Sequence, residues 1–426
     1  MTKETFTMLD AFPVPAGPHL VGTVKYDLTD WKKFEEHETM YMFKNKSHHT
    51  NKIKEILRMN TILIQTKLLL FSLFCLLGFL TAPIYADVKD VKLFDYEGDL
   101  KPVTTCMVGG KTKVIAPGPY DKTLRIWDFA TGECEGVVGS HEGYVRSVTT
   151  CVVDGEIKVI AGYDNTFSNS LNVKDSEYVQ NTIRVWDLQT GKCEHALRRH
   201  ISTATAVATF VIDGKPKILS GSGHYGYREE NGYVHNDGDI HTWDMKTGKC
   251  EHTLRGHKLT VEAVSTCIVD GKTKLVSAST DETVRIWDAE TGICERVLLG
   301  HEDWVMSVAS FTIGNQVKIV SGSQDGVVRI WDVHSGECEH ILQGPESTNC
   351  MLAPAVLNGE LKLVVGFQSR FTNAENSELL TIWNLQTGKC EHSIPIAKRF
   401  DSVFSFKQNG KSYIVMGFMD GVIIFL

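Results

Sequence analysis

The chain has 426 residues, 42% hydrophobic and 23% charged, so it carries enough apolar material to fold and does not have the composition of a disordered protein. A formal net charge of -8 leaves no excess of Lys and Arg to neutralise phosphates, which argues against a nucleic-acid partner. Length alone allows two or three domains, or one large all-β domain with an appendage.

Residues 1–58 show no repeat and little periodicity, and read as a poorly ordered leader. Residues 59–86 form the next unit. From Leu68 to Ala86 there are 19 residues without a charge, close to the roughly 20 that cross a bilayer as a helix. If translation begins at Met59, Lys67 is the charged start of a secretory signal, Leu68 to Leu80 its apolar body, and Ile84-Tyr85-Ala86 an imperfect cleavage site. With the leader in front, the same stretch reads as a transmembrane signal anchor. Its basic flank (Lys44, Lys46, Lys52, Lys54, Arg58, Lys67) keeps the N-terminus cytosolic. A hydrophobic segment of a soluble protein is the third reading. The expectation is therefore a membrane-anchored or exported protein, with a cytoplasmic one as the alternative.

From residue 87 to 426 the chain repeats. Trp127-Asp128, Trp186-Asp187, Trp243-Asp244, Trp287-Asp288, Trp331-Asp332 and Trp383-Asn384 mark six copies, the fourth and fifth spaced by 44 residues. Each copy reads strand, turn, strand, turn, strand, and a recurrence of this kind signals propeller blades. Met419 to Leu426 begins a seventh copy and ends where its Trp would stand. Val91 to Val103 overlays Cys250 to Val261, so the segment Val91–Tyr96 is predicted to supply the outer strand of the last blade and close the ring. Asp154-Gly155, Asp213-Gly214, Asp270-Gly271, Asn358-Gly359 and Asn409-Gly410 signal two-residue hairpins between first and second strands. Lys158, Lys217, Lys274, Lys318 and Lys362 follow these turns and are expected to ring one face as solvated charges, with an acidic partner as the alternative. The cysteines fall into an outer-strand set (Cys134, Cys193, Cys250, Cys294, Cys338, Cys390) and an inner-strand set (Cys106, Cys151, Cys267, Cys350). Three strand spacings, roughly 14 Å, separate the sets, too far for disulfides, so they read as small buried thiols.

These residues resemble the WD40 repeat family across residues 87–426. The resemblance implies an all-β, seven-bladed WD40 β-propeller, preceded here by an apolar helix and the leader. It assigns structural roles to His257, Ser277, Asp281 and Trp287 in one blade, and to His301, Ser321, Asp325 and Trp331 in the next. A buried imidazole needs both nitrogens satisfied, and carboxylate, hydroxyl and indole supply those bonds. Other blades depart from the pattern: His141 and His200 lack the preceding Gly, and Pro345 stands where the sixth blade's His is expected. Pro13 to Asp30 faintly resembles the leading edge of platelet-activating-factor-acetylhydrolase-type esterases, but the chain contains no GxSxG pentapeptide, so no esterase activity carries over.

Function is expected where the repeats are interrupted. Blades two, three and six lengthen the connection between their second and third strands, from Tyr163, Gly223 and Phe367. Loops on a rigid scaffold commonly carry recognition. Tyr225, Tyr227, Arg228 and Tyr233 in the third-blade loop have the aromatic and Arg character of interface anchors. The resemblance adds Trp304 and its counterparts Tyr144, Thr260 and Arg399 on the same face. The reading is a non-enzymatic scaffold, a monomeric propeller that binds a protein or peptide, with no cofactor and no catalytic or metal site. One alternative is a secreted or surface propeller with metal-dependent or hydrolytic activity in the blade-three loops, where His235, Asp237, Asp239 and His241 alternate. A ubiquitin-ligase substrate receptor is the other, though residues 1–86 hold no recognisable F-box-like pattern.

Overall fold

The structure is a computed structural model. It describes residues 102–118, 123–140, 143–164, 183–200, 203–223, 238–345, 348–357, 359–369, 378–396, 399–408, 411–418 and 423–425. The leader, the apolar stretch 59–86, Val91–Tyr96 and the bodies of the three long connections lie outside the described residues. Among the described residues, all regular elements are strands, and no helix is long and apolar enough to cross a membrane.

The described strands form antiparallel sheets, each built from consecutive strands. Sheet 1 holds Thr104–Val108, Lys111–Pro117, Thr123–Asp128 and Cys134–Ser140; sheet 2 holds Tyr144–Val153, Glu156–Asp164, Ile183–Asp187 and Cys193–Leu197. Sheet 3 holds Thr203–Ile212, Lys215–Gly223, Ile240–Asp244 and Cys250–Leu254; sheet 4 holds Val261–Val269, Lys272–Ser279, Val284–Asp288 and Cys294–Leu298. Sheet 5 holds Val305–Ile313, Gln316–Ser323, Val327–Asp332 and Cys338–Gln343; sheet 6 holds Thr348–Leu357, Glu360–Ser369, Glu378–Asn384 and Lys389–Ile396. Sheet 7 has Phe400–Gln408, Lys411–Phe418 and Ile423–Phe425 among the described residues.

Each second strand is buried almost without interruption, as in Lys272–Ser279, because a neighbouring sheet covers each of its faces. This double burial explains why these strands read as Val/Ile/Leu/Ala/Ser runs rather than alternating ones. The apolar clusters join sheets in sequence. Val276, Ala278 and Ile286 of sheet 4 meet Ile319 and Trp331 of sheet 5, for example. Sheets 1 and 2 share Ile115, Leu124, Val148 and Trp186. Sheet 7 packs on sheet 1 through Val415 against Val114, Ala116 and Trp127, with Phe129 edge-on to Phe406 at 4.9 Å and to Tyr413 at 5.1 Å.

The hairpin turns follow the sequence reading. Both residues of Asp154-Gly155, Asp213-Gly214 and Asp270-Gly271 have positive φ, the conformation that matches the twist of a two-residue hairpin. The turns before the fourth strands need glycine for a different reason. At Gly292 the φ of 72° is left-handed, and a Cβ would come within 2.9 Å of Leu254 Cδ2 in the preceding sheet.

The lysines after the hairpins correct the expectation of solvated charges. Lys113, Lys158, Lys217, Lys274, Lys318 and Lys362 are all buried. In the first five sheets the lysine lies opposite the Asp of the Trp-Asp pair, as with Lys274 and Asp288. Its Nζ reaches that carboxylate at 2.8–3.0 Å and a Glu on the fourth strand at 2.5–2.8 Å. A sequence pattern places the lysine on a strand but does not reveal that its head folds inward between two acids. The Asp carries a second duty: Asp288 Oδ1 accepts from the backbone N–H of Thr291 at 2.9 Å and from its hydroxyl at 2.8 Å. One carboxylate thus closes a turn with one oxygen and neutralises a buried ammonium with the other. Its hydrogen bond from Lys113, followed by those of the turn, holds Asp128 at about 2. In sheet 6, Asn384 donates to Glu391 at 3.0 Å, and Lys362 takes Glu360 and Glu391 instead.

The cysteines also differ from expectation. The two sets lie on fourth and first strands and all ten described thiols are free, but only Cys350 is buried; Cys134, Cys193 and Cys390 are exposed. Fourth strands form the outer edge, where no further sheet covers them.

Replacing Lys274 by Met leaves Asp288 and Glu295 facing each other without a cation. The expected loss is roughly 2–4 kcal/mol in urea unfolding, the 40% exposure of Glu295 moderating the cost of a broken buried pair. A loss below about 0.5 kcal/mol, the size of an exposed pair, would remove the lysine from the stability argument.

Candidate functional site

Outside the lysine clusters, a set of hydrogen-bonded polar side chains recurs in sheets 4 and 5. His257 Nε2 lies 2.7 Å from Ser277 Oγ, Trp287 Nε1 donates to the same hydroxyl at 2.9 Å, and His257 Nδ1 reaches Asp281 at 2.9 Å. A single proton arrangement satisfies all of them. The indole N–H donates to the Ser oxygen, the Ser O–H donates to Nε2, and Nδ1–H donates to the carboxylate. Asp281 Oδ2 also accepts from the backbone N–H of Lys258 at 2.9 Å, which ties the turn before the first strand to the turn after the second. The set repeats as His301 to Ser321 at 2.8 Å, Trp331 to Ser321 at 2.8 Å and His301 to Asp325 at 3.2 Å. Burial, the largest influence, lowers His257 below the usual imidazole range, while Asp281 pulls the other way. Burial alone would raise Asp281, but the bonds from His257, Thr283 and Lys258 leave it lowered. His257 and Ser277 are enclosed, so this constellation has the members of a hydrolytic triad without an exposed nucleophile.

The starts of the first strands and the ends of the second strands share one face, as the pairings Tyr144 with Asp164 and Thr203 with Gly223 show. The long connections of sheets 2, 3 and 6 leave from the second-strand ends, so their roots belong to that face. Tyr225, Tyr227, Arg228 and Tyr233, with His235 and Asp237, lie outside the described residues. Of the four first-strand residues, Tyr144 is 53% and Trp304 39% exposed, and Arg399 is half-buried. Thr260 corrects the expectation of a contact residue: it is buried, its side chain lying over Gly223 of sheet 3, where there is no Cβ to keep it away.

The register adds two residues at the same position that sequence reasoning missed, Thr203 and Asn349. Pro345, in place of a His, removed the landmark that would have located Asn349. Asn349 sits within an amide ladder across three sheets. Gln324 Nε2 donates to Asn349 Oδ1 at 2.9 Å, Asn349 Nδ2 to Gln368 Oε1 at 3.1 Å, and Gln368 Nε2 to the carbonyl of Phe400 at 2.8 Å. Beside sheet 2, Asp164 accepts from Arg146 at 2.5 Å and from Thr203 at 3.1 Å. These links tie sheets 5, 6 and 7 to one another and sheet 2 to sheet 3.

Residues 248–288 and 292–332 match the family model of the WD domain, G-beta repeat. The chain carries WD40 repeats. Each matched WD40 segment starts with the fourth strand of one sheet and ends with the third strand of the next, so repeat and sheet are offset by one strand. No curated protein matches the chain. WD40 propellers are generally non-enzymatic scaffolds for protein partners.

The WD40 pattern weakens in the other sheets. Sheets 1, 2 and 6 carry Ala116, Ala161 and Val365 where sheets 4 and 5 have Ser277 and Ser321. In sheet 6, Trp383 Nε1 turns to Thr381 Oγ1 at 2.7 Å instead. Sheet 3 keeps His200, Ser220 and Trp243, with Ser220 Oγ at 2.7 Å from His200 Nε2 and 2.9 Å from the indole. Its Arg position is taken by His241, whose ring lies 4.5 Å from that of His200. Both Nδ1 atoms are buried without a hydrogen-bond partner. Burial, then the neighbouring ring, pushes His200 well below the usual range; burial brings His241 to about 4, with Arg199 and Arg255 adding to it and Asp239 opposing.

Among the described residues, Glu156, Asp187 and Glu194 bring carboxylate oxygens within 4.8 Å of one another, a geometry that could hold a cation. Lys158 Nζ already donates to all three at 2.7, 3.0 and 2.8 Å. The ammonium occupies the position a metal would take.

The histidine pair of sheet 3 makes the protein acid-sensitive. His241 has a folded-state value below its ordinary 6.5, so its contribution is complete above 6.5 and is lost as pH falls toward about 4. Between pH 7 and pH 5 the unfolding free energy should drop by roughly 2 kcal/mol more in the unsubstituted chain than in His241→Gln. Urea titrations at the two pH values measure this, and equal drops would place the acid-labile element elsewhere.

Proposed function

We propose that this WD40 repeat protein is a non-enzymatic scaffold that holds a protein or peptide segment on the face where the first strands begin and the long connections of sheets 2, 3 and 6 emerge. The observation that carries this reading is the exposure of Trp304 and Tyr144 at equivalent first-strand starts, Trp304 beside the Gln324, Asn349 and Gln368 ladder and Tyr144 beside the Arg146, Asp164 and Thr203 links. Large exposed aromatics are among the residue types that dominate interface energies. The His, Ser and Asp groups with the composition of a hydrolytic triad are consumed in satisfying one another and the Trp indoles. We further read the seven sheets as blades of one closed propeller. Sheet 7 packs on sheet 1 and has three strands among the described residues, and the overlay of Val91–Val103 on Cys250–Val261 supports reading Val91–Tyr96 as its fourth. Residues 68–86, with 19 uncharged positions in a row, are read as a membrane segment ahead of that strand.

Peptides selected from a random display library against the full chain test the face. Trp304→Ala should weaken the selected peptides by about 30-fold, the scale of a hot-spot residue. Ile341→Ala, on the fourth strand of sheet 5, should leave them unchanged. Selected peptides that bind Trp304→Ala as tightly as the unsubstituted chain would refute the choice of face.

A further inference from the structure

The fourth strands lie at the outer edge, and the edge of sheet 4 differs from the others. Cys294–Leu298 pairs with Val284–Asp288 on one side, and among the described residues no strand pairs with its other side. Such an edge presents a row of main-chain donors and acceptors, which proteins commonly blunt with charge or proline. Sheets 2, 3 and 6 do so at both ends of the strand. Lys192, Lys249 and Lys389 precede the fourth-strand cysteine, and all three are exposed. Arg198, Arg255 and Pro395 follow the aliphatic residue that pairs with the third strand's start. Sheet 5 has Glu337 and Gln343 at these positions. Sheet 4 has Ile293 and Leu299 instead, 63% and 70% exposed, with Val297 between them at 41%. Its edge has lost the charges that keep an open strand from pairing.

The order of side chains along this edge indicates what covers it. Strand alternation puts Val297 and Leu299 on one side, with the buried Leu298 between them on the other. In an antiparallel pair of identical strands, opposed residues share a face, so the two-fold axis passes through a residue facing its own copy. An axis at Glu295 or Arg296 opposes like charges. One at Val297 sets Glu295 against Leu299, and one at Cys294 leaves Leu299 unmatched. An axis at Leu298 places Val297 of each copy opposite Leu299 of the other, with Arg296 opposite Gly300. That register covers apolar surface with apolar surface and brings no two like charges together.

We propose that this edge is an interface between two copies of the chain, the fourth strand of sheet 4 pairing antiparallel with itself about a two-fold axis at Leu298. Glu295 keeps its bond to Lys274, and the new pairing uses main-chain groups and the Val297 and Leu299 side chains. The contact is a single strand long and buries less than the roughly 1,200 Å² of stable interfaces, so the dimer is a weak one. The monomer expected from the sequence is its dilute form.

Sedimentation equilibrium of the full chain tests this, in a detergent that covers the uncharged run 68–86. The expected dissociation constant is on the order of 50 µM. Val297→Lys and Leu299→Glu should each weaken self-association by about tenfold or more, because each sets a charge against an apolar partner. An equimolar mixture of the two variants should recover the original strength to within about threefold, since the introduced ammonium of one chain then faces the introduced carboxylate of the other. Val137→Lys, at the equivalent position in sheet 1, should change nothing. If either variant does not fold, Val297→Glu and Leu299→Lys repeat the exchange. A chain that stays monomeric up to about 300 µM overturns the proposal. So does a dimer that Val297→Lys and Leu299→Glu both leave intact, which assigns association to another surface. Variants that weaken the dimer but do not recover on mixing overturn the two-fold pairing at Leu298.

Discussion

The constraint on which the architecture depends is the burial of each second strand on both faces. A strand packed between two neighbouring sheets has no solvent for any polar group, so every such group must find its partner within the fold. Two devices meet that demand. At the hairpin end, a lysine meets the Asp of the Trp-Asp pair and a Glu from the fourth strand. Toward the opposite end, Ser277 or Ser321 links an indole to an imidazole, and the imidazole to a carboxylate in the next turn. The Trp-Asp dipeptide serves both, its indole reaching one device and its carboxylate the other.

These devices are unevenly distributed, and that gradient describes the protein. Sheets 4 and 5 hold both, and they are the sheets whose segments match the family model. Sheet 3 keeps the lysine cluster but exchanges an arginine for His241, leaving two imidazoles with unmet nitrogens. Sheet 6 has lost the His, the Ser and the Asp, and uses Thr381, Asn384 and an inter-sheet amide ladder in their place. The scaffold therefore keeps its shape by substitution of one hydrogen-bonded solution for another. The face above these networks is free to vary in length, as the long connections of sheets 2, 3 and 6 do.

The two faces differ in kind. One carries the roots of the long connections and the exposed Tyr144 and Trp304 beside hydrogen-bonded polar side chains. The other carries short hairpins whose tips bear both acids and lysines, with exposed aliphatic side chains beside them. A body with this asymmetry has a defined orientation if one of its faces is fixed.

The strands, their order and the hairpins were legible in the sequence because each rests on local chemistry. Asp-Gly adopts two positive φ angles in the hairpins at Asp154, Asp213 and Asp270, and Trp-Asp pairs recur at a readable spacing. The His, Ser, Asp and Trp set was legible for the same reason, through repetition. What a lysine or a threonine does was not. Lys274 is charged and follows a turn, which suits solvent equally well, and only the approach of Asp288 and Glu295 from adjacent strands makes a buried position tolerable. Thr260 occupies the same place in its sheet as Trp304, yet it is buried because Gly223 of the neighbouring sheet leaves it room, whereas Trp304 remains exposed. Asn349 became visible only through strand register. Sequence by itself determined which segments become strands and how they turn, since those are decided within a few residues. Tertiary structure decided which side chains meet water, since that depends on which sheet lies alongside.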